Sequence, residues 1–128
     1  MKAAVAIVAL AAVAEARGTM AQPGLRVVHG KILLVPATSS KKPAASSIGD
    51  PESGYHVELR LRCGGRICAN VYMHPPWPKG RIGTTVITTE APAECAIDNV
   101  GEAFFTLVCK TAPPEGARVD FIAVGPEA

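Results

Sequence analysis

The stretch that decides the fold runs from Gly54 to Gly80 and reads GYHVELRLRCGGRICANVYMHPPWPKG. Apolar and polar residues alternate from Tyr55 to Cys63, which is typical of a half-buried β-strand because successive side chains point to opposite faces. The Gly64–Gly65 pair permits a tight turn, and the alternation resumes from Ile67 to Met73. We therefore predict a β-hairpin.

A three-residue loop would place the two apolar faces of this hairpin opposite each other. A shift of the pairing by one residue would bury arginines, so this register is strongly favoured. The polar residues then share the outer face of the hairpin, which carries His56, Glu58, Arg60, Asn70, Tyr72 and His74.

Four further segments carry strand signals. Residues 25–35 and 81–89 are dense in β-branched and apolar residues, and alternation recurs in 102–110 and 117–124. Gly30 interrupts the first of them, where we predict a β-bulge. Turns rich in Pro and Gly separate the segments, and no segment shows a helical period. This pattern predicts an all-β antiparallel sandwich of six to seven short strands, of the immunoglobulin-like or jelly-roll kind.

The first residues have the character of an export signal. Residues 1–16 contain one lysine, a short apolar run and an A-x-A pattern, which together predict a secretory signal peptide cleaved after Ala16 or after Ala21. The apolar run is too short to cross a membrane. Residues 17–24 are predicted to be a disordered mature N-terminus. We therefore expect a secreted chain with no membrane span.

The rest of the chain, residues 25–128, is long enough for a single domain. Within it, residues 36–54 are rich in Pro, Ser and Ala and lack periodicity, so we predict a flexible loop. Residues 90–101 predict a turn-rich connection with one very short strand around Cys95. His29 lies inside an apolar run, where we expect it to be packed or paired.

If the chain is exported, its four cysteines are expected to form disulfides. An even number of cysteines in a short secreted chain indicates two disulfides among Cys63, Cys68, Cys95 and Cys109. Sequence proximity favours the pairs Cys63–Cys68 and Cys95–Cys109. The three-residue hairpin loop, however, would point Cys63 and Cys68 to opposite faces, so the sequence leaves the connectivity open.

The net charge of +2 implies no polyelectrolyte partner, and nucleic acid is not an expected ligand. The charges are segregated, however, with basic residues concentrated in the hairpin region and acidic residues in the segment that follows it. These blocks either neutralise each other across the fold or leave a basic surface for an anionic ligand. The hairpin arginines of that surface are Arg60, Arg62 and Arg66.

The loop from His74 to Gly80, HPPWPKG, carries the only tryptophan of the chain. Prolines stiffen a loop, and an aromatic ring on a stiff loop suits stacking on a sugar or filling a pocket of a partner. The alternative is that Trp77 folds back and caps the end of the sandwich. The predicted binding residues are His74, Trp77, Lys79 and Arg81, together with the three hairpin arginines.

Motifs for catalysis are missing, since the chain has no G-x-S-x-G, Walker or H-E-x-x-H sequence. The outer face of the hairpin nevertheless offers the acid, base and cation that a small ribonuclease needs, in His56, Glu58, Arg60 and His74. Two histidines and a carboxylate also suit zinc or copper. Structural zinc sites have four closely spaced ligands, so we assign no metal and no cofactor.

These observations predict a secreted, non-enzymatic binding protein, inhibitor-like or effector-like, that contacts an extracellular protein or a carbohydrate through the Trp77 loop. A small secreted ribonuclease that uses the histidine face is the enzymatic alternative. An extracellular structural protein is the third alternative, and the low aromatic content and the absence of repeats argue against it.

Overall fold

The computed structural model describes residues 24–40, 42–48, 54–60, 63–64 and 66–127, which form eight strands. The strands are β1 (Leu25–Val35), β2 (Ala44–Ile48), β3 (Tyr55–Arg60), β4 (Ile67–Met73), β5 (Thr84–Thr89), β6 (Glu94–Val100), β7 (Phe104–Thr111) and β8 (Ala117–Pro126). The described residues contain no helix, and therefore none that could cross a membrane. The predicted signal peptide, and all but Gly24 of the predicted disordered N-terminus, lie outside them.

The strands form two antiparallel sheets of four strands each, packed as a sandwich. The first sheet has the order β2-β1-β8-β5 and the second sheet has the order β3-β4-β7-β6. The first and last strands are thus neighbours at the centre of the first sheet. The predicted all-β antiparallel sandwich is confirmed, with eight strands rather than six or seven.

Two strands differ from the sequence prediction. β2 lies inside residues 36–54, which were predicted to be a flexible loop; its backbone pairs with β1 at the sheet edge, and such pairing requires no apolar alternation. β6 is seven residues long rather than very short. Its register shifts between Glu94 and Cys95 and again between Ile97 and Asn99. These irregularities interrupt the alternation by which a strand is recognised in a sequence.

The pairing of β3 with β4 confirms the predicted register of the hairpin. Val57 lies opposite Val71 on the face that turns toward the other sheet, and His56 lies opposite Tyr72 on the outer face. The outer face of the hairpin therefore carries the polar residues that the alternation placed there.

Both disulfides join cysteines that are consecutive in the sequence, Cys63 with Cys68 and Cys95 with Cys109. Cys63 lies in the turn beyond the end of β3, so the alternation of the strand does not fix the direction of its side chain. Cys95 and Cys109 are cross-strand partners in β6 and β7. Disulfides of this kind form in oxidising compartments.

The core lies between the sheets and is centred on Phe121. The rings of Tyr55 and Phe105, both from the second sheet, approach Phe121 edge-on with centroid distances of 5.0 and 5.2 Å. The surrounding buried aliphatic side chains include Val28, Ile32, Leu34, Val71, Leu107 and Val119. Full burial of each such side chain contributes about 1.5 to 3 kcal/mol to stability.

Gly30 makes room for a core side chain and does not form a β-bulge. It pairs with Phe121 in a regular register, so the predicted bulge is wrong. The ring of Tyr55 lies directly over Gly30, where an added Cβ atom would come within 2.4 Å of the ring. The Tyr55 hydroxyl lies 3.2 Å from both the amide nitrogen and the carbonyl oxygen of Lys31. Position 30 requires a glycine because the Tyr55 ring occupies the space that a side chain at this position would need.

We expect Gly30→Ala to destabilise the protein by about 1 to 3 kcal/mol, because the buried Tyr55 ring cannot move away from the new methyl group. Urea unfolding of the oxidised protein measures this change. The matched control is Gly101→Ala, where an added Cβ meets its nearest neighbour at an ordinary 3.6 Å. Equal stability of the two variants would contradict the close approach of the sheets at Gly30.

Candidate functional site

Trp77 is folded back into the protein. Its side chain is only 4 % exposed, so the prediction of an exposed anchor is wrong and the alternative, that it caps the sandwich, is correct. The ring packs against Gly83 and Gly125, where an added Cβ atom would lie 2.6 and 2.8 Å from ring atoms. Gly83, just before β5, and Gly125 of the neighbouring strand β8 therefore form the recess that receives the indole.

The backbone of the proline loop is attached to the connection between β6 and β7. The Trp77 amide donates a 2.8 Å hydrogen bond to the carbonyl of Glu102, and the Met73 amide donates one of the same length to the carbonyl of Ala103. The Gly80 amide donates to the Glu102 carboxylate. The His74–Pro75 peptide bond is cis. These hydrogen bonds hold the loop with its tryptophan turned inward and with Pro75 and Pro76 exposed.

Arg26 of β1 also packs on the Trp77 ring. Its guanidinium carbon lies 4.7 Å from the centroid of the Trp77 ring, a cation–π arrangement. Within the described residues neither terminal nitrogen of Arg26 has a hydrogen-bond partner. Burial lowers the pKa of Arg26 because the charged form loses water. The arginine therefore belongs to the capping structure.

The predicted basic binding residues that the structure describes lie near the two ends of β4. Lys79 in the proline loop and Arg81 just after it are exposed beyond the end of β4, whereas Arg60 and Arg66 are exposed near the start of β4. Seven residues of extended chain separate these groups by roughly 20 Å. Arg62 lies outside the described residues. The structure therefore places the described basic residues in two groups, one at each end of β4.

The histidine cluster, in contrast, is assembled as the hairpin register requires. His56 Nε2 lies 2.9 Å from a carboxylate oxygen of Glu58, and His56 Nδ1 contacts His74 Nε2. The two imidazole rings lie nearly parallel, with an interplanar angle of 14° and a centroid distance of 4.5 Å, and they meet edge to edge through these nitrogens. The amide of His74 donates a 2.9 Å hydrogen bond to the carbonyl of Gly54, which fixes the backbone beside the ring.

Aromatic and polar neighbours support this cluster across the second sheet. His56 stacks on Tyr72 at 4.9 Å, and Tyr72 contacts Phe104 at 5.1 Å. The Thr106 hydroxyl donates to the side-chain oxygen of Asn70, whose amide donates to the Tyr72 hydroxyl, at 2.9 and 3.2 Å. The described residues contain no cluster of three or more metal-ligating side chains. The chemistry available here is that of two histidines oriented by one carboxylate.

The first sheet carries a surface that sequence reasoning missed. The exposed large hydrophobic residues of the described chain all lie on its outer face or just before β5, and they are Leu25, Val27, Ile82, Val86 and Ile122. Ile122 of β8 lies between His29 of β1 and Val86 of β5. We call this surface, together with the half-buried Val124, the apolar face. His29 is exposed on it and is not packed as expected.

The apolar face was missed because no single strand displays it. In β8, Arg118 and Asp120 mark the outer side as polar, and Ile122 follows on that same side. The exposed apolar residues become neighbours only because β8 pairs with β1 on one side and with β5 on the other. Its charged border at one end has both signs, since Lys31 lies opposite Asp120.

Comparison with protein-family models, with curated proteins and with solved structures finds no match for the chain. The candidate sites that the structure offers are the apolar face of the first sheet and the histidine cluster of the second. The proline loop contributes a capping residue to the fold.

For the proline loop we expect blue-shifted tryptophan emission that an aqueous quencher reaches poorly, since Trp77 is the only tryptophan and is buried. We expect Trp77→Ala to destabilise the protein by about 3 to 5 kcal/mol, with Trp77→Phe losing less because it retains a ring. Lys79→Ala, an exposed change in the same loop, should alter the unfolding midpoint little. Red-shifted, readily quenched emission would contradict the capping role.

Proposed function

We propose that the protein is a secreted, non-enzymatic binding protein that contacts an extracellular protein through the apolar face. The observation that carries this proposal is the collection of exposed aliphatic side chains on one sheet face, with Val27, Ile122 and Val86 exposed by 48, 53 and 61 %. Clustered apolar side chains on a protein surface mark interaction sites. The two disulfides and the export signal predicted in residues 1–16 support an extracellular place of action.

The chemistry of the apolar face favours a protein partner over a carbohydrate or a lipid surface. Its exposed large side chains are aliphatic, whereas sugar recognition by stacking uses aromatic rings. Its border combines Lys31 and Arg118 with Asp120, whereas an anionic membrane attracts a predominantly basic surface. An aliphatic centre with a border of mixed charge matches the anatomy of protein interfaces.

The position of the apolar face also suits binding. β1 and β8 are the central strands of the first sheet and pair along ten consecutive residues, from Leu25 opposite Pro126 to Leu34 opposite Ala117. The backbone beneath the exposed side chains is thus fixed before any partner arrives. A preorganised surface loses little conformational entropy on binding, which leaves more of the contact energy for affinity.

We expect Ile122→Lys to weaken binding of the partner by about 30-fold or more, because truncation or charge at an anchoring residue typically costs at least about 2 kcal/mol. The immobilised oxidised chain is used to isolate a ligand from extracellular fluid, and the purified ligand is then titrated against each variant. Because Ile122 is exposed, the unfolding midpoint should change little.

The matched control is Arg60→Ser, an exposed change on the outer face of the second sheet. It should bind the partner with the affinity of the unaltered chain. Loss of binding in Arg60→Ser with retention in Ile122→Lys would place the contact on the second sheet and overturn the proposal.

The ribonuclease alternative yields a separate expectation. His56 and His74 contact each other through their ring nitrogens, whereas a general acid and a general base must lie apart to act on a phosphodiester between them. We expect no cleavage of single-stranded RNA above that of the His56→Ala/His74→Ala double variant. Cleavage by the unaltered protein that disappears in the double variant would contradict a purely binding role.

A further inference from the structure

We propose that His56 and His74 form a binding site for a divalent transition-metal ion, with Cu²⁺ bound more tightly than Zn²⁺, and that Glu58 acts as a positioning residue for His56. The site lies on the outer face of the second sheet, opposite in the sandwich to the apolar face. It is therefore independent of the proposed protein contact.

The hydrogen bond to Glu58 decides which nitrogen of His56 is free. An ionised carboxylate only accepts hydrogen bonds, so His56 Nε2, 2.9 Å from the Glu58 oxygen, carries the proton. In the neutral imidazole, Nδ1 then keeps its lone pair, and Nδ1 is the atom that faces His74 Nε2. Two imidazole nitrogens therefore converge on one point, where they share a proton or bind a common cation.

A metal ion shared by these two rings requires both rings to rotate so that their nitrogens point at the ion. Imidazole nitrogens bind zinc or copper at about 2.0 to 2.1 Å, which places two adjacent ligand nitrogens roughly 3 Å apart. The two side chains have room for this rotation because the His56 side chain is 43 % exposed and His74 is exposed. The solvent-facing positions of the ion are left to water.

The surrounding contacts preorganise the two ligands. Stacking on Tyr72 restricts the ring of His56. The backbone of His74 is fixed by the hydrogen bond that its own amide donates to the carbonyl of Gly54. A carboxylate on the far nitrogen of a ligating histidine fixes the tautomer and raises the basicity of the metal-binding nitrogen. Glu58 occupies that position, and its contact with His56 marks it as an orienting group rather than as a third ligand.

The ligand set selects the class of metal. Imidazole suits zinc, copper and nickel, and the affinity of a given nitrogen site among divalent ions is highest for Cu²⁺. Mg²⁺ and Ca²⁺ require a shell of oxygen ligands, whereas the two converging donors here are nitrogens. The site therefore favours Cu²⁺ over Zn²⁺ and discriminates against Mg²⁺ and Ca²⁺.

The test is a titration of the full, oxidised chain with Cu²⁺ alone, followed by calorimetry in the presence of glycine as a competitor for weakly held copper. We expect one equivalent to bind and the electron paramagnetic resonance spectrum to show two nitrogen ligands. His56→Ala and His74→Ala should each weaken binding by at least tenfold. Glu58→Gln should weaken it by about tenfold while the two-nitrogen spectrum persists.

The matched control is His29→Ala, which removes an exposed histidine from the first sheet and should leave Cu²⁺ binding unchanged. Circular dichroism of each variant establishes that the fold is retained. Equal Cu²⁺ affinity of the unaltered chain and the His56→Ala/His74→Ala double variant would overturn the proposal, as would tighter binding of Zn²⁺ than of Cu²⁺.

Discussion

The structure depends on the contact of the Tyr55 ring with Gly30. Tyr55 belongs to the edge strand of the second sheet, and its ring fills the space that a side chain at position 30 would take in the first sheet. The same ring packs edge-on against Phe121, which pairs with Gly30. Its hydroxyl meets the backbone of Lys31. One side chain thus sets the distance between the sheets, fixes their relative position and satisfies its own polar atom inside the sandwich.

Most of the aromatic side chains are buried between the sheets or at one end of the sandwich, whereas Tyr72 lies on the outer face of the second sheet. Tyr55, Phe105 and Phe121 fill the space between the sheets, and Trp77 closes one end against Gly83 and Gly125. The outer faces are consequently left with contrasting chemistry. The first sheet presents aliphatic side chains with a charged border, and the second presents histidines supported by Tyr72. The proposed protein contact and the proposed metal site therefore occupy opposite sides of one rigid scaffold.

The features predictable from the sequence are those produced by short-range pairing. The alternation around Val57 and Val71 was sufficient to place the hairpin in its correct register, and that register brought His56 to His74 and Glu58. The strands that were missed or shortened lack this alternation. β2 is held by backbone pairing at a sheet edge, and β6 changes register twice along its length. A sequence pattern cannot reveal pairing that requires no particular side chain.

The sequence by itself determined the fold class, the hairpin and the composition of the histidine cluster, because the period of two assigns each side chain to a face wherever one face is buried. Only the tertiary structure decided the fate of Trp77 and the existence of the apolar face. The indole is buried because Gly83 and Gly125, distant from each other in the chain, leave a common recess. The apolar face exists because β8 lies between β1 and β5. Both depend on which strands become neighbours, and long-range adjacency is set by the packing of the whole chain rather than by any local pattern.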